Sequence, residues 1–284
     1  MTSGPRPFDA HRARKRFGQH WLRDRQVLAR ILEAAELVAQ DTVLEVGPGQ
    51  GALTEGLLAS PAAAVHAVEL DRDLVAGLAK RFGHDPRFTL HSGDVLKLSL
   101  PSTTKVVANI PYNITGPLLE RLVGRLDRPL ADPYRRLVLL VQREVGERIR
   151  AVPGSSCYSA LSVRMQLMGV CSTVCPVPPR CFEPPPKVDS EVICIDPLAL
   201  EAHLAPPLAR GVEMLLRRCF LARRKMLRNS LAGLLPRHQL EDLAQVAGFS
   251  LDQRPQELAP LTWVQLAAGL NQSRAWTEDG GVDG

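Results

Sequence analysis

The sequence predicts an α/β domain built on a parallel sheet, followed by a small all-helical domain. Three observations predict it. Between about residues 43 and 195, short apolar runs rich in β-branched residues alternate with longer amphipathic stretches. A glycine-rich turn follows the first of those runs directly. Past Pro197 the strand-like runs stop, and amphipathic helices punctuated by Gly233, Pro236, Gly248, Pro255 and Pro260 take over.

The expected strands are Val43–Val46, Val65–Glu69, Arg87–His91, Lys105–Ala108, Leu137–Val141 and Val192–Ile195. The amphipathic stretches between them predict helices on both faces of the sheet. Before the last strand runs Pro176-Val-Pro-Pro-Arg-Cys-Phe-Glu-Pro-Pro-Pro186, which cannot be helix or central strand. The expected boundaries are residues 1–198 for the α/β domain with its basic N-terminal segment and 199–272 for the helical domain. Residues 273–284 are expected to form a disordered tail.

At 284 residues the chain is long enough to bury a sizeable core. With 45% hydrophobic and 23% charged residues it reads as an ordinary folded protein, which excludes wholesale disorder. No apolar run reaches 18 residues, so no membrane span is expected. The N-terminus lacks the apolar core of a secretory signal, and its bases run into motif residues, so it reads as mature protein. Six cysteines do not make a disulfide framework, and a reducing cytoplasm fits them best. Cys171, Cys175 and Cys181 have no His at usable spacing, so no metal is expected. None of the seven His reads as a catalytic base.

The net charge of +5 says little by itself, but its distribution says more. Arg6, Arg12, Arg14, Lys15, Arg16, Arg23 and Arg25 crowd the first 25 residues against Asp9 and Asp24. Arg210, Arg217, Arg218, Arg223, Arg224, Lys225 and Arg228 crowd residues 210–228 against Glu213. Two such clusters point to a polyanion such as RNA. Either one alone is equally well read as a solvated helix face.

The first strand runs into Glu45-Val-Gly47-Pro-Gly49-Gln-Gly51, and a helix starts at Ala52. Glycines there allow a sharp turn and close approach of backbone to a ligand. The spacing is G-x-G-x-G, not the G-x-G-x-x-G of dinucleotide sites. An acid just before the glycines, here Glu45, is frequent in Rossmann-like methyltransferases that bind S-adenosylmethionine. Glu69 ends the second strand, 22 residues after Gly47, where a carboxylate can accept from both ribose hydroxyls. Asp94 follows the third strand, placed to accept from the adenine amino group of the cofactor. Each piece alone is weak, and the ordered set is strong. A nicotinamide dehydrogenase is the competing enzyme, disfavoured by the missing glycine at dinucleotide spacing.

The fourth strand ends in Asn109-Ile110-Pro111-Tyr112, a motif of the type that marks methyltransferases acting on planar exocyclic amines. The adenine N6 lone pair is delocalised and a poor nucleophile. The Asn109 side-chain oxygen and the Ile110 carbonyl can each accept one N6 proton, which favours a pyramidal nitrogen. Pro111 holds the preceding carbonyl in extended geometry. Tyr112 can stack on the base, worth about 1–3 kcal/mol. Such chemistry asks for positioning more than for a strong base. With this motif present, phosphate contact becomes the favoured role for Arg223, Arg224, Lys225 and Arg228.

Longer segments carry a family resemblance. They are Arg14-Lys-Arg-Phe-Gly-Gln-His-Trp-Leu22, Glu45-Val-Gly-Pro-Gly-Gln-Gly-Ala-Leu-Thr54, Val68-Glu-Leu-Asp71 and Asn109-Ile-Pro-Tyr-Asn-Ile114. They continue with Val141-Gln-Arg-Glu-Val145, Tyr158-Ser-Ala-Leu-Ser-Val163, Phe182-Glu-Pro-Pro-Pro-Lys-Val-Asp-Ser190 and Arg223-Arg-Lys-Met-Leu-Arg-Asn229. From about Ala13 to Leu270 the chain resembles the bacterial small-subunit ribosomal RNA adenine dimethyltransferases.

The resemblance implies N6,N6-dimethylation of two adjacent adenines near the 3′ end of 16S ribosomal RNA, in the small subunit or its precursor. It implies S-adenosyl-L-methionine as cofactor, held by His20, Leu22, Glu45, Gly47, Gly49, Glu69, Asp94 and Asn109. It implies that Phe182 helps hold the target base opposite Tyr112, and that Arg14, Lys15, Arg16 and the second basic cluster grip RNA. His20 stands where many members carry Asn, and Glu183 has no account at this stage. Nothing demands an oligomer, so a cytoplasmic monomer is expected. Two alternatives stay open: a large-subunit ribosomal RNA methylase conferring antibiotic resistance, and a non-catalytic RNA-binding assembly or transcription factor.

Overall fold

The computed structural model describes residues 19–279. Arg14, Lys15 and Arg16 therefore lie outside the described residues. The chain divides into two compact units. The first runs to Val123 and resumes over Asp132–Gly146 and Val170–Pro197. The second takes Gly124–Ala131, Glu147–Gly169 and the described chain from Leu198 onward.

The first unit begins with β1 (Trp21–Leu22) and α1 (Arg25–Ala35). The Asp24 carboxylate caps α1, accepting from the Gln26 and Val27 N–H groups. Val27, Ile31 and Ala35 recur every four residues and bury one stripe of the helix. Then follow β2 (Thr42–Val46), α2 (Ala52–Ala59), β3 (Ala64–Glu69), α3 (Arg72–Phe82), β4 (Phe88–Ser92), β5 (Lys105–Asn109) and α4 (Thr115–Val123). Lys105 ties β5 to the end of α1: its ammonium donates to the Ala35 and Glu36 carbonyls and pairs with buried Asp41 at 2.9 Å.

After a short ladder of β6 (Gly124–Arg125) and β7 (Arg128–Pro129) come β8 (Arg136–Gln142) and α5 (Arg143–Arg150). The chain continues through α6 (Ala160–Met168), β9 (Gly169–Val177), β10 (Phe182–Glu183) and β11 (Ser190–Pro197). The main sheet has the order β4-β3-β2-β5-β8-β11-β9. All six expected strands are in it. The pairs from β4 across to β8 are parallel, but β11 runs antiparallel to β8, so the sheet is mixed rather than parallel throughout. The sequence reading also misses β9. Its Cys, Ser, Thr and Pro176 dilute the apolar signal, and its place at the sheet edge tolerates the proline.

Val43, Val65, Ala67, Val107, Val138, Leu140 and Val192 share one core with α1, α2 and α3. The alternate positions Leu44, Val46, Val106, Leu139 and Ile193 are buried as well, as a sheet covered on both faces requires.

The second unit adds α7 (Pro206–Leu221), α8 (Leu227–Ser230), α9 (Arg237–Val246) and α10 (Pro260–Asp279). Its core holds Tyr158 and Trp263, both fully buried, with the Phe220 ring next to each. The Tyr158 hydroxyl donates to the Leu258 carbonyl at 2.9 Å, and Arg164 makes a two-pronged bond to buried Glu213. α6 and the residues around Tyr158 thus belong with the helices, and the unit is assembled from separate stretches of chain. α10 continues past Ser273 to Asp279, into the tail expected to lack structure, because no glycine or proline stands between Ser273 and Gly280.

Candidate active site

Strand order places the site. The chain moves outward from β2 through β3 to β4, then returns to the other side of β2 as β5. A crevice opens at such a reversal, beyond the carboxyl ends of the strands. Val46, Glu69, Ser92 and Asn109 end the four strands there. A cleft lies at this point. Gly47, Gly49, Glu69, Asp94, Asn109 and Tyr112 all line it.

The glycine turn is held in place by Glu69. The Gly49 N–H donates to one carboxylate oxygen at 3.1 Å, and the Asp71 N–H donates to the other at 2.8 Å. Burial pushes the Glu69 carboxyl above the usual carboxylate range, and the two N–H donors pull it back. Gly49 has φ +59°, and a Cβ there would lie 3.0 Å from the Trp21 ring. The turn therefore leaves backbone, not side chain, facing the cleft. Asp94 caps the next turn, accepting from the Leu96 N–H at 2.9 Å.

Asn109 closes β5. Its side-chain NH₂ donates to the His20 carbonyl at 3.0 Å. A carbonyl can only accept, so this bond fixes which end of the amide is nitrogen and frees Oδ1 as an acceptor. Ile110 is buried, and its N–H donates to the Leu140 carbonyl at 3.1 Å. Pro111 has φ −59° and ψ 125°, an extended turn into Tyr112. The Tyr112 hydroxyl bonds the buried Ser190 Oγ at 2.5 Å, and burial raises its pKa.

Three expected site residues are placed elsewhere. Leu22 and Phe182 lie directly opposite each other across the β1–β10 ladder, so their side chains share a face, and that face is the core. Phe182 is 4% exposed and does not line the cleft; the ring near Tyr112 is instead that of His20, at 5.6 Å and 26°. Glu45 is buried, borders a smaller pocket with Gly47, Pro48 and Asn109 rather than the main cleft, and accepts from the Thr54 hydroxyl at 2.7 Å. Burial pushes its carboxyl up to about 8. It supports the turn rather than facing the cleft.

Glu183 now has a partner. It accepts from Arg23 at 3.1 Å, and Arg23 also donates to the Gln50 side chain at 2.6 Å. Sequence reasoning missed Ser190 as the anchor of Tyr112. The signal was present, because Ser190 closes the Phe182–Ser190 motif, but its partner is set by sheet register. In the second unit Arg223, Arg224 and Lys225 are exposed in the turn between α7 and α8, not within a helix. α7 ends at Leu221 because the chain must turn to bury Leu227, whose N–H donates to the Gln253 carbonyl. Arg228 is bonded to Asp252. Among the described residues no three metal-ligating side chains cluster, and no helix is long and apolar enough to cross a membrane.

This cleft fits S-adenosylmethionine. The buried Glu69 retains lone pairs for ribose hydroxyls beyond those used by Gly49 and Asp71. Asp94 offers an acceptor one strand further out, and the space beside Gly49 would be filled by any Cβ. Asn109, Ile110 and Pro111 line the same cleft.

The model of the family described as ribosomal RNA adenine dimethylase matches residues 10–271. A ribosomal RNA small subunit methyltransferase A from Parasynechococcus marenigrum (strain WH8102) is 69% identical over 270 residues, 93% of this chain and 89% of that one. One of the same name from Synechococcus sp. (strain WH7803) is 68% identical, covering 94% and 97%. Among solved structures, a dimethyladenosine transferase from Plasmodium falciparum superposes with TM-score 0.76 at 27% identity, over 90% of this chain and 98% of its own. The 23S rRNA methyltransferase ErmE gives 0.72 at 27% identity, over 89% and 100%. The two solved structures are nearly equally similar to this chain.

Proposed function

The chain belongs to the ribosomal RNA adenine dimethylase family, and we propose that it dimethylates N6 of two adjacent adenines near the 3′ end of 16S ribosomal RNA. Its substrate is that RNA within the small subunit or its precursor, and it works as a cytoplasmic monomer. S-adenosylmethionine, when bound, supplies a methyl group already activated on a sulfonium. Glu69 takes the ribose hydroxyls, Asp94 the cofactor's adenine amino group, and the Gly47–Gly51 turn the close backbone contacts.

Asn109 Oδ1 and the Ile110 carbonyl each accept one proton of the target N6, and Tyr112 stacks on the base. The amine need not lose a proton before attack, so the residues orient rather than deprotonate it. The second transfer at each adenine starts from an amine with a single proton. One acceptor then suffices, and the space at the other must admit a methyl. Arg223, Arg224 and Lys225 contact phosphate.

The observation that carries this reading is the Asn109 carboxamide, pinned through its nitrogen so that its oxygen is left to accept. Asn109→Ala removes that acceptor. Methyl transfer to small subunits lacking the modification is expected to fall about 10²–10³-fold, as for loss of one preorganised polar group, with cofactor affinity retained. Unchanged transfer by the variant would overturn the mechanism.

A further inference from the structure

The 182–190 segment touches the site at more than one point. Across the β1–β10 ladder Trp21 faces Glu183 and Leu22 faces Phe182. One step further the same register sets His20 opposite Pro184. The Arg23 N–H donates to the Cys181 carbonyl, which makes 21/183 a hydrogen-bonded pair and 20/184 a pair with no backbone bond between its members. Two different bonds form there instead. The His20 Nδ1–H donates to the Pro184 carbonyl at 2.8 Å, because a carbonyl can only accept. The His20 carbonyl, turned away from the ladder partner at this position, accepts from the Asn109 side chain at 3.0 Å.

We propose that His20 is a positioning residue for the amine site: anchored by its ring to Pro184, it holds the Asn109 carboxamide in its accepting orientation. The proposal rests on the methyl-transfer reading above. His20 precedes β1, so no ladder bond fixes its backbone, and the ring bond to Pro184 supplies the missing anchor. The carbonyl of an anchored residue points one way, and so does the amide bonded to it. The His20 ring also stacks on Tyr112, whose hydroxyl is bonded to Ser190 at the far end of the same segment. The Phe182–Ser190 motif thereby sets both amine-site side chains, although Phe182 itself lies in the core.

The test compares His20→Ala, His20→Asn and His20→Phe in single-turnover methyl transfer, with S-adenosylmethionine affinity measured by calorimetry. His20→Ala is expected to slow transfer at saturating cofactor about 10–100-fold, the scale of a small misplacement of reacting groups. His20→Asn, which restores an N–H donor, should recover most of the rate. His20→Phe, which keeps a ring against Tyr112 but no donor, should not. In an Asn109→Ala background, His20→Ala should cost far less than in the wild type, because His20 acts mainly through Asn109. Additive losses, or rescue by Phe rather than Asn, would overturn the proposal. A crystal structure of His20→Ala reads the same claim without turnover: the Asn109 amide should leave the residue 20 carbonyl. If it stays, the positioning role fails even with wild-type methylation intact. If the wild type methylates nothing while the amide moves, the functional reading fails and the positioning role stands.

Discussion

Glu45 and Glu69 stand on adjacent strands, and burial raises the pKa of both, yet they do different work. Glu69 lines the cleft and takes the N–H groups of Gly49 and Asp71, while Glu45 takes its bonds from Thr54, the hydroxyl at 2.7 Å among them. Raised from 4.5 to about 8 in the fold, Glu45 favours the protonated native state. Its contribution to stability is full below about 4.5 and is lost as pH rises through about 8. Glu45→Gln, which mimics the neutral acid, is expected to melt with a flatter pH dependence than wild type, the gap widening in the variant's favour from pH 5 to pH 8. Parallel melting curves across that range would contradict the burial argument. At this scale the sequence made Gly47, Glu69, Asp94 and Asn109 legible, because each ends a strand or sits in the turn after it. That the side chains of Leu22, Glu45 and Phe182 do not line the main cleft was not legible, because motif membership does not say which face of a strand a side chain takes.

The glycine turn connects β2 to α2 and is clamped on two sides. Trp21 stands beside Gly49, and Phe82 of α3 stands behind Gly51. A Cβ at Gly51 would come within 2.4 Å of the Phe82 ring, at φ +82°. Gly51→Ala should therefore destabilise by about 1–3 kcal/mol from overpacking, plus about 1–2 kcal/mol of left-handed backbone strain. Cofactor affinity should fall as the turn moves. Urea unfolding with calorimetry checks both, and an unperturbed variant would show that the turn yields freely. Element existence was legible here from apolar periodicity and glycine placement. Strand direction was not. Antiparallel β11 and edge strand β9 are fixed by which neighbour each finds, and their residues carry the same β-branched pattern either way.

Across the whole molecule, the mild net charge hides a local one. Arg223, Arg224 and Lys225 stand exposed in one turn of the helical unit, while Arg228 is engaged by Asp252. Replacing the exposed three with alanine should weaken RNA binding and flatten its salt dependence by about 2 in log–log slope, at about 0.7 for each phosphate no longer neutralised. Replacing Arg228 alone should change that slope far less. Equal effects would mean that the Asp252 pair opens on RNA. The two-part organisation was legible from the change of periodicity past Pro197. The recruitment of residues 147–169 into the helical unit was not, since it depends on Tyr158 and Arg164 finding Leu258 and Glu213 far along the chain. The most direct test of the central claim is chemical. Small subunits lacking the modification are incubated with the protein and labelled S-adenosylmethionine, and the digested RNA is read by mass. The account predicts N6,N6-dimethyladenosine at two neighbouring positions of 16S RNA. Label confined to large-subunit RNA, or no label with RNA binding retained, would contradict it.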